Sequence, residues 1–386
     1  MRVAIVHDWF TKWAGSEQVV ARMLGVFPEA NLYAGIDVMP AAERGPLGGR
    51  TVRTSPAQNL PGVARWHGHY LPLLALAIEQ LDLSAYDLVI SSSHAIAHGV
   101  LTGPDQLHLC LCHSPMRFAW DLQHQYLAEA HLHRGLLTWP ARIMLARMRR
   151  WDLAASRRPD RYIAVSQFIA RRIAKCYRRP ADVVIYPPVD VAAFPLHQAK
   201  EDFYVTAGRF VPYKRTALIV AAFAKMPDKK LIVIGDGPER ERVKARAGPN
   251  VTFLGHAPAA TLVDHLQRAR AFIFAALEDF GIAPVEAMLC GTPVIAFGQG
   301  GATETVTDNV SGLFFGQQTP DSLIEAVHRF ESQRHRFVPE QVHASVERFS
   351  SERFDRQFKQ YLMEQMDQPP LPGGEGTGRA HKIISC

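Results

Sequence analysis

At 386 residues, 47% hydrophobic and 21% charged, the chain has the size of about two domains and the balance of a soluble globular protein. It holds no apolar run of about 18 residues that could span a bilayer as a helix. The opening segment MRVAIVHD reads as a strand and not as a signal peptide, and five cysteines without a second closely spaced pair argue against a disulfide framework or a zinc site, in keeping with a reducing, cytoplasmic setting. The net charge of +6 is regional: between Arg142 and Arg179 twelve Lys and Arg stand against Asp152 and Asp160, so the remainder is net acidic.

In chain order, residues 2–8 predict a strand, 17–26 a helix opened by Gly15, and 32–36 and 51–54 short strands. Residues 71–81 predict a helix, 86–90 a strand running into Ser91-Ser92-Ser93-His94, and 106–112 a strand ending at His113-Ser114-Pro115. A helical pattern over 141–155, a strand over 161–165, a helix over 167–176 and a strand over 183–186 follow. Pro187-Pro188-Val189-Asp190 and the polar stretch to Asp202 break the rhythm. It restarts with strands over 203–207, 230–234 and 251–254 and helices over 215–225, 240–246 and 261–268. A strand over 271–276, a helix from Val285 ending at Gly291 and a strand over 292–297 follow, and a last helix spans 349–363. Strands alternate with helices throughout, the α/β pattern of doubly wound parallel sheets. The expected division is a first Rossmann-like domain over 1–188, a second over 189–348, a helix over 349–366 packing back on the first, and a Pro- and Gly-rich disordered tail over 367–386.

The chemistry gathers around Glu278-Asp279-Phe280-Gly281-Ile282-Ala283-Pro284-Val285-Glu286, two carboxylates eight residues apart. Glu278 falls at the carboxyl end of a strand, where ligands of open α/β sheets bind, and Glu286 falls in the next helix. Gly281 lets backbone approach a ligand, and Pro284 suits a first helical turn. The free N–H groups and dipole of that turn attract an anion such as a diphosphate. Gly208-Arg209-Phe210-Val211-Pro212-Tyr213-Lys214 leaves the first strand of the second domain at the same sheet edge. The Arg fork and the Lys point charge make a pyrophosphate site there. His113, at a strand end, is a candidate contact to the reacting group; His94 and His98 are weaker candidates. Taken singly, each residue has a plainer reading: a strand cap, a solvated pair of cations, a structural histidine. Their convergence on one kind of edge gives the functional reading its force. No G-x-G-x-x-G follows the first strand, there is no P-loop, and no Asp-x-Asp pair offers itself to a metal-bridged diphosphate, so protein cations have to neutralise it.

Residues 1 to about 363 resemble a GT-B glycosyltransferase of family 4, the retaining type. Glu278-x7-Glu286 resembles that family's acidic signature, and Gly208-Arg209 with Lys214 its diphosphate loop. Gly235-Asp236-Gly237-Pro238, Phe253-Leu254-Gly255 and Gly291-Thr292-Pro293-Val294-Ile295-Ala296 resemble its other landmarks. Ser91-Ser92-Ser93-His94, Cys112-His113-Ser114-Pro115-Met116-Arg117-Phe118-Ala119-Trp120-Asp121 and Tyr186-Pro187-Pro188-Val189-Asp190 resemble a bacterial subgroup that often transfers mannose in polysaccharide or lipopolysaccharide assembly.

The resemblance implies a GT-B fold, two Rossmann-like domains facing a cleft. It implies that Arg209 and Lys214 hold the donor diphosphate, Glu286 the ribose hydroxyls and Glu278 the donor sugar. Backbone around Phe280, Gly281 and Ile282 would meet sugar or phosphate, Gly15 would approach the diphosphate from the first domain, His113 would sit beside the sugar and His256 near the base. Ala14-Gly15-Ser16 departs from the pair of glycines common at that point in the family. The expected reaction moves mannose from GDP-mannose with retention and without a metal cofactor. The expected partners are the nucleotide sugar and a glycan or polyprenyl-diphosphate-linked acceptor. The basic region between Arg142 and Arg179 would meet an anionic membrane, placing the protein peripherally on the cytoplasmic face. Nucleic acid fits worse, because Trp151, Tyr162, Phe168 and Tyr177 fall in core-like patterns. A GT-B nucleotide-sugar epimerase, which would release free sugar epimer without an acceptor, and a non-catalytic nucleotide-sugar-binding protein are the alternatives.

Overall fold

The computed structural model describes residues 1–130 and 132–366; the predicted tail over 367–386 lies outside the described residues. The chain forms two compact units, one of Met1–Tyr186 together with residues from Phe354 onward, the other of Pro187–Arg353.

In the first unit the strands are β1 (Val3–Phe10), β2 (Asn31–Asp37), β3 (Val52–Thr54), β4 (Leu88–Ser93), β5 (Leu107–Cys112), β6 (Arg161–Ala164) and β7 (Val183–Val184). The helices are α1 (Gly15–Val26), α2 (Val63–Trp66), α3 (Leu71–Ile78), α4 (Gln123–Glu129), α5 (Thr138–Ala155) and α6 (Gln167–Tyr177). The sheet is parallel, in the order β3-β2-β1-β4-β5-β6-β7. Strand alternation divides β1 between two cores. Val3 and Ile5 pack with Met23 and Leu24 of α1 and with Ile169 and Ile173 of α6. Ala4 and Val6 pack with Leu74, Ala75 and Ile78 of α3. The first of these cores also takes Phe354, Phe358, Tyr361 and Leu362 from the end of the chain.

The second unit is built from β8 (Tyr204–Ala207), α7 (Thr216–Ala224), β9 (Leu231–Ile234), α8 (Arg240–Lys244), β10 (Val251–Gly255), α9 (Ala259–Arg268), β11 (Ala271–Phe274), α10 (Ile282–Leu289), β12 (Val294–Phe297), α11 (Ala302–Thr305), β13 (Gly312–Phe315), α12 (Pro320–Gln333) and α13 (Pro339–Ala344). Its parallel order is β10-β9-β8-β11-β12-β13. Helix α14 (Ser351–Met366) starts in this unit and ends in the first.

The doubly wound α/β class read from the sequence is therefore present in both units. The differences are local. β4 runs on through Ser91, Ser92 and Ser93 because each serine, though fully buried, has a histidine partner: His108 Nε2 at 2.9 Å, His113 Nε2 at 2.8 Å and His98 Nδ1 at 3.0 Å. Residues 298–348, which the sequence reading left without elements, supply the edge strand β13 and the long helix α12 capped by Thr319. α12 is an ordinary amphipathic helix that buries Leu323, Ala326, Val327 and Phe330.

Candidate active site

In each sheet the chain order reverses at one place, between β1 and β4 in the first and between β8 and β11 in the second. There the connections leave in opposite directions and open a crevice at the carboxyl ends of the strands. The predicted site residues of each unit fall on the loops at these two edges, in the helices α1 and α10 that those loops lead into, or just after the carboxyl end of a neighbouring strand.

In the second unit, residues 208–214 follow β8 and residues 275–281 follow β11. Lys214 Nζ forms an ion pair with Glu278 Oε1, both largely shielded from water. Arg209 is exposed. Gly281 caps α10 with φ +87°, a left-handed conformation that suits glycine, and no side chain caps the helix. The N–H groups at a helix start have no partner within the helix, and Gly281 offers them no side-chain acceptor. Burial pushes the Glu286 carboxyl up to about 7, with the charge of Lys214 pulling the other way. Phe280 is buried with its ring 5.2 Å from that of Phe349, Ile282 is half-buried at the start of α10, and His256 is exposed just after β10.

Backbone contacts hold these loops together. Gly208 N donates to Ile234 O at 3.0 Å, Phe210 N to Asp236 O at 2.9 Å and Gly235 N to Gly255 O at 2.7 Å. A Cβ on Gly237 would lie 2.5 Å from Phe210 O, so the second glycine of Gly-Asp-Gly-Pro is required by this close approach. Sequence reading passed over the loop before α11, where Gly301 N donates to Glu278 O at 2.8 Å and fixes the backbone that carries the glutamate. The glycine-rich Gly298-Gln299-Gly300-Gly301 was its available signal.

In the first unit, Gly15 is the first residue of α1 and half-buried, and His113 follows β5, its N–H donating to Ser93 O at 2.8 Å. Burial, followed by the charges of His94 and His7, lowers the His113 imidazole to about 3, so it is neutral near pH 7. The other two histidines separate. His98 is buried between Ser93 and Asp152, 3.2 Å from the latter, and Asp152 also accepts from Trp120 Nε1 at 2.7 Å and Tyr177 Oη at 3.1 Å. That is a core network with a structural role. His94 is half-buried at the edge, with Nδ1 2.8 Å from Asp8 Oδ2.

Asp8 and His7 were missed because two polar residues inside an apolar strand leave no periodic mark. Adjacent on β1, they point to opposite faces. Asp8 is buried and accepts backbone N–H bonds from His94 (2.5 Å), Ala95 (3.1 Å), Ile96 (2.6 Å) and Ala97 (2.6 Å). Burial opposes its ionisation, but the charge and hydrogen bond of His94, then His7, hold its carboxyl far below the usual range. His7 is buried between Ser92 and Glu17 of α1.

The basic stretch also divides. Arg149, Arg158, Arg161, Arg172 and Arg179 are tied to partners within the fold. Arg147, Arg150 and Arg157 are exposed. Ahead of them stand exposed apolar side chains, Leu136 (93%), Leu137, Trp139 (73%), Ile143 and Met144, while Leu73 and Leu76 are exposed on α3, which packs beside α5. Among the described residues no helix is long and apolar enough to cross a membrane.

Two family models match: Glycosyltransferase Family 4 over residues 15–193 and Glycosyl transferases group 1 over residues 189–344. A D-inositol 3-phosphate glycosyltransferase of Kribbella flavida is 32% identical over 200 residues, 44% of this chain and 47% of that protein. A GDP-mannose-dependent alpha-(1-6)-phosphatidylinositol monomannoside mannosyltransferase of Mycolicibacterium smegmatis is 31% identical over 140 residues, 32% of this chain and 37% of that protein. The chain thus spans about half or less of the length of these curated relatives. Among solved structures, a sucrose-phosphate synthase of Thermosynechococcus elongatus matches with a TM-score of 0.70 at 18% identity, over 95% of this chain and 99% of that one. Anabaena HepE in complex with UDP-glucose matches with a TM-score of 0.67 at 19% identity, over 94% and 100%. In order along the chain, then, a domain matching glycosyltransferase family 4 is followed by one matching glycosyl transferases group 1, on a GT-B fold.

Proposed function

We propose that the chain is a retaining hexosyltransferase that moves mannose from GDP-mannose onto a glycan or polyprenyl-diphosphate-linked acceptor in cell-surface polysaccharide synthesis. The observation that carries the reading is the convergence of Lys214, Glu278, Glu286 and the uncapped start of α10 at one switch point. Arg209 and Lys214 offset the charge of the donor diphosphate, with no metal needed for that task, and the α10 N–H groups add to them. Glu286 takes the ribose hydroxyls, and Glu278, held by Lys214, takes hydroxyls of the sugar. His256 is the proposed neighbour of the base, and Gly15 and His113 are the residues that the first unit offers to a nucleotide sugar. The sugar–phosphate C–O bond breaks, the acceptor oxygen bonds to the same face of the anomeric carbon, and its proton passes to the leaving phosphate. The choice of GDP-mannose is supported by the mannosyltransferase among the relatives. The acceptor is proposed to lie at the cytoplasmic face of a membrane, supported by the exposed Leu136, Leu137, Trp139 and Ile143 beside Arg147 and Arg150.

The deciding experiment incubates the protein with GDP-mannose, GDP-fucose, UDP-glucose, UDP-galactose and UDP-N-acetylglucosamine and follows slow donor hydrolysis. Release of GDP and α-mannose from GDP-mannose is expected. Hydrolysis of a UDP-sugar in its place overturns the donor, and β-mannose as the first product overturns retention.

A further inference from the structure

The first-unit edge holds a chain of four polar side chains whose hydrogens can be placed by elimination. His7 Nδ1 lies 3.1 Å from Ser92 O and 3.2 Å from Ser92 Oγ. A carbonyl oxygen only accepts, so Nδ1 of His7 carries a hydrogen and donates. Its other nitrogen, Nε2, lies 3.5 Å from Glu17 Oε1, again an acceptor. Burial alone would raise the Glu17 carboxyl, but the bond and charge of His7, then the backbone and Ser16, hold it below its ordinary value. Glu17 is therefore an anion facing the far side of the His7 ring. Ser92 Oγ, with His7 pointing a hydrogen at it, keeps its own hydrogen for its remaining partner, His113 Nε2 at 2.8 Å. His113 Nε2 must then accept, and a neutral imidazole that accepts on one nitrogen carries its hydrogen on the other.

We propose that Ser92, backed by His7 and Glu17, is a positioning residue that fixes His113 as the Nδ1–H tautomer and turns that N–H into a hydrogen-bond donor for a substrate oxygen. The ligand that receives this bond rests on the reading of this edge as part of the donor site; the tautomer itself does not. Glu17, His7 and Ser92 come from α1, β1 and β4, which meet at the switch point, so the relay is a product of the sheet order. His113 is half-buried, whereas the three residues behind it are buried. The hydroxyl of Ser92 is thus directed inward at the ring and is no nucleophile. A donor N–H at Nδ1 selects a ligand oxygen with a free lone pair, as a sugar hydroxyl has.

The test is long-range proton–nitrogen NMR of the full chain labelled with 15N at histidine, with the His113 signals identified by their loss in His113→Gln. The expected result in the wild type is Nδ1 protonated and Nε2 unprotonated. In Ser92→Ala the ring loses its donor and is expected to shift toward the Nε2–H form, and Ser92→Thr is expected to restore the wild-type pattern. Transfer by Ser92→Ala is expected to fall about tenfold, the equivalent of one lost hydrogen bond. A wild-type His113 protonated at Nε2, or at both nitrogens, overturns the proposal, as does an unchanged pattern in Ser92→Ala. If Ser92→Ala fails to fold, the wild-type spectrum alone decides. No substrate is needed for the spectrum, so a protein inactive on every donor still answers the question.

Discussion

Glu286→Gln should make the second unit more stable and, on the proposed function, sugar transfer slower. Burial holds the Glu286 carboxyl at about 7 against an ordinary 4.5. Between those values the folded chain keeps a proton that the unfolded chain has released, so stability falls as pH rises through this window. One pKa unit corresponds to about 1.4 kcal/mol, so the full penalty above pH 7 is ~3 kcal/mol. Glutamine keeps the shape and never ionises, so it escapes the penalty. Urea unfolding of wild type and Glu286→Gln at pH 4.5 and pH 8 checks this. All six tryptophans lie between Trp9 and Trp151 in the first unit. Tryptophan fluorescence therefore serves as the internal control, and far-UV circular dichroism has to report the second unit. The expected outcome is a gain approaching 3 kcal/mol in the second unit at pH 8, small at pH 4.5, with no change in fluorescence midpoint. A variant stabilised equally at both pH values, or not at all at pH 8, refutes the placement of a burdened carboxyl at this position. If Glu286 takes the ribose hydroxyls as proposed, donor affinity should drop in the same variant, since an amide cannot accept two hydroxyls as a carboxylate does.

If the proposed donor site holds, Lys214→Ala should lower transfer on the order of 100-fold while leaving circular dichroism unchanged, because on that proposal it removes a preorganised cation from the leaving phosphate; full activity would place the diphosphate elsewhere. Asp8→Asn should destabilise the first unit on the order of 3 kcal/mol, read by tryptophan fluorescence in urea, since an amide turns one acceptor of the N–H cluster into a donor. A loss below about 1 kcal/mol would show that the loop holds itself. Gly237→Ala should cost about 1–3 kcal/mol and weaken nucleotide binding, because its Cβ would meet Phe210 O at 2.5 Å. Trp139→Ser with Ile143→Ser should weaken co-sedimentation with phosphatidylglycerol vesicles at least about tenfold. Vesicle binding that survives the pair, or that never occurs, removes the membrane contact.

The alternation of strands and helices was readable because buried parallel strands form continuous apolar runs, as Ala271–Phe274 does. The second-unit edge loops were readable because they are short and marked by Gly and Pro. The first-unit edge was harder. Asp8, His7 and Glu17 act through bonds to residues far along the chain, such as Ile96 and Ser92, and nothing local signals that pairing. The basic region misled in the opposite sense. A count of charges from Arg142 to Arg179 treats them alike, whereas Arg172 is buried against Ser114 and Asp121 and Arg147 is not.

The route of the chain end has a consequence for synthesis. The first unit's core is completed by Phe354, Phe358, Tyr361 and Leu362, which reach it only after the whole second unit has been made. The polypeptide emerging from a ribosome can therefore close its second unit before its first, against the usual N-terminal order. Until Leu362 arrives, the core that these side chains share with α1 and α6 is incomplete, so part of the first unit's apolar surface stays uncovered until the end of translation. The same route limits dissection. A fragment ending at Tyr186 lacks part of its own core, and an exchange of first units between related enzymes has to carry α14 with it.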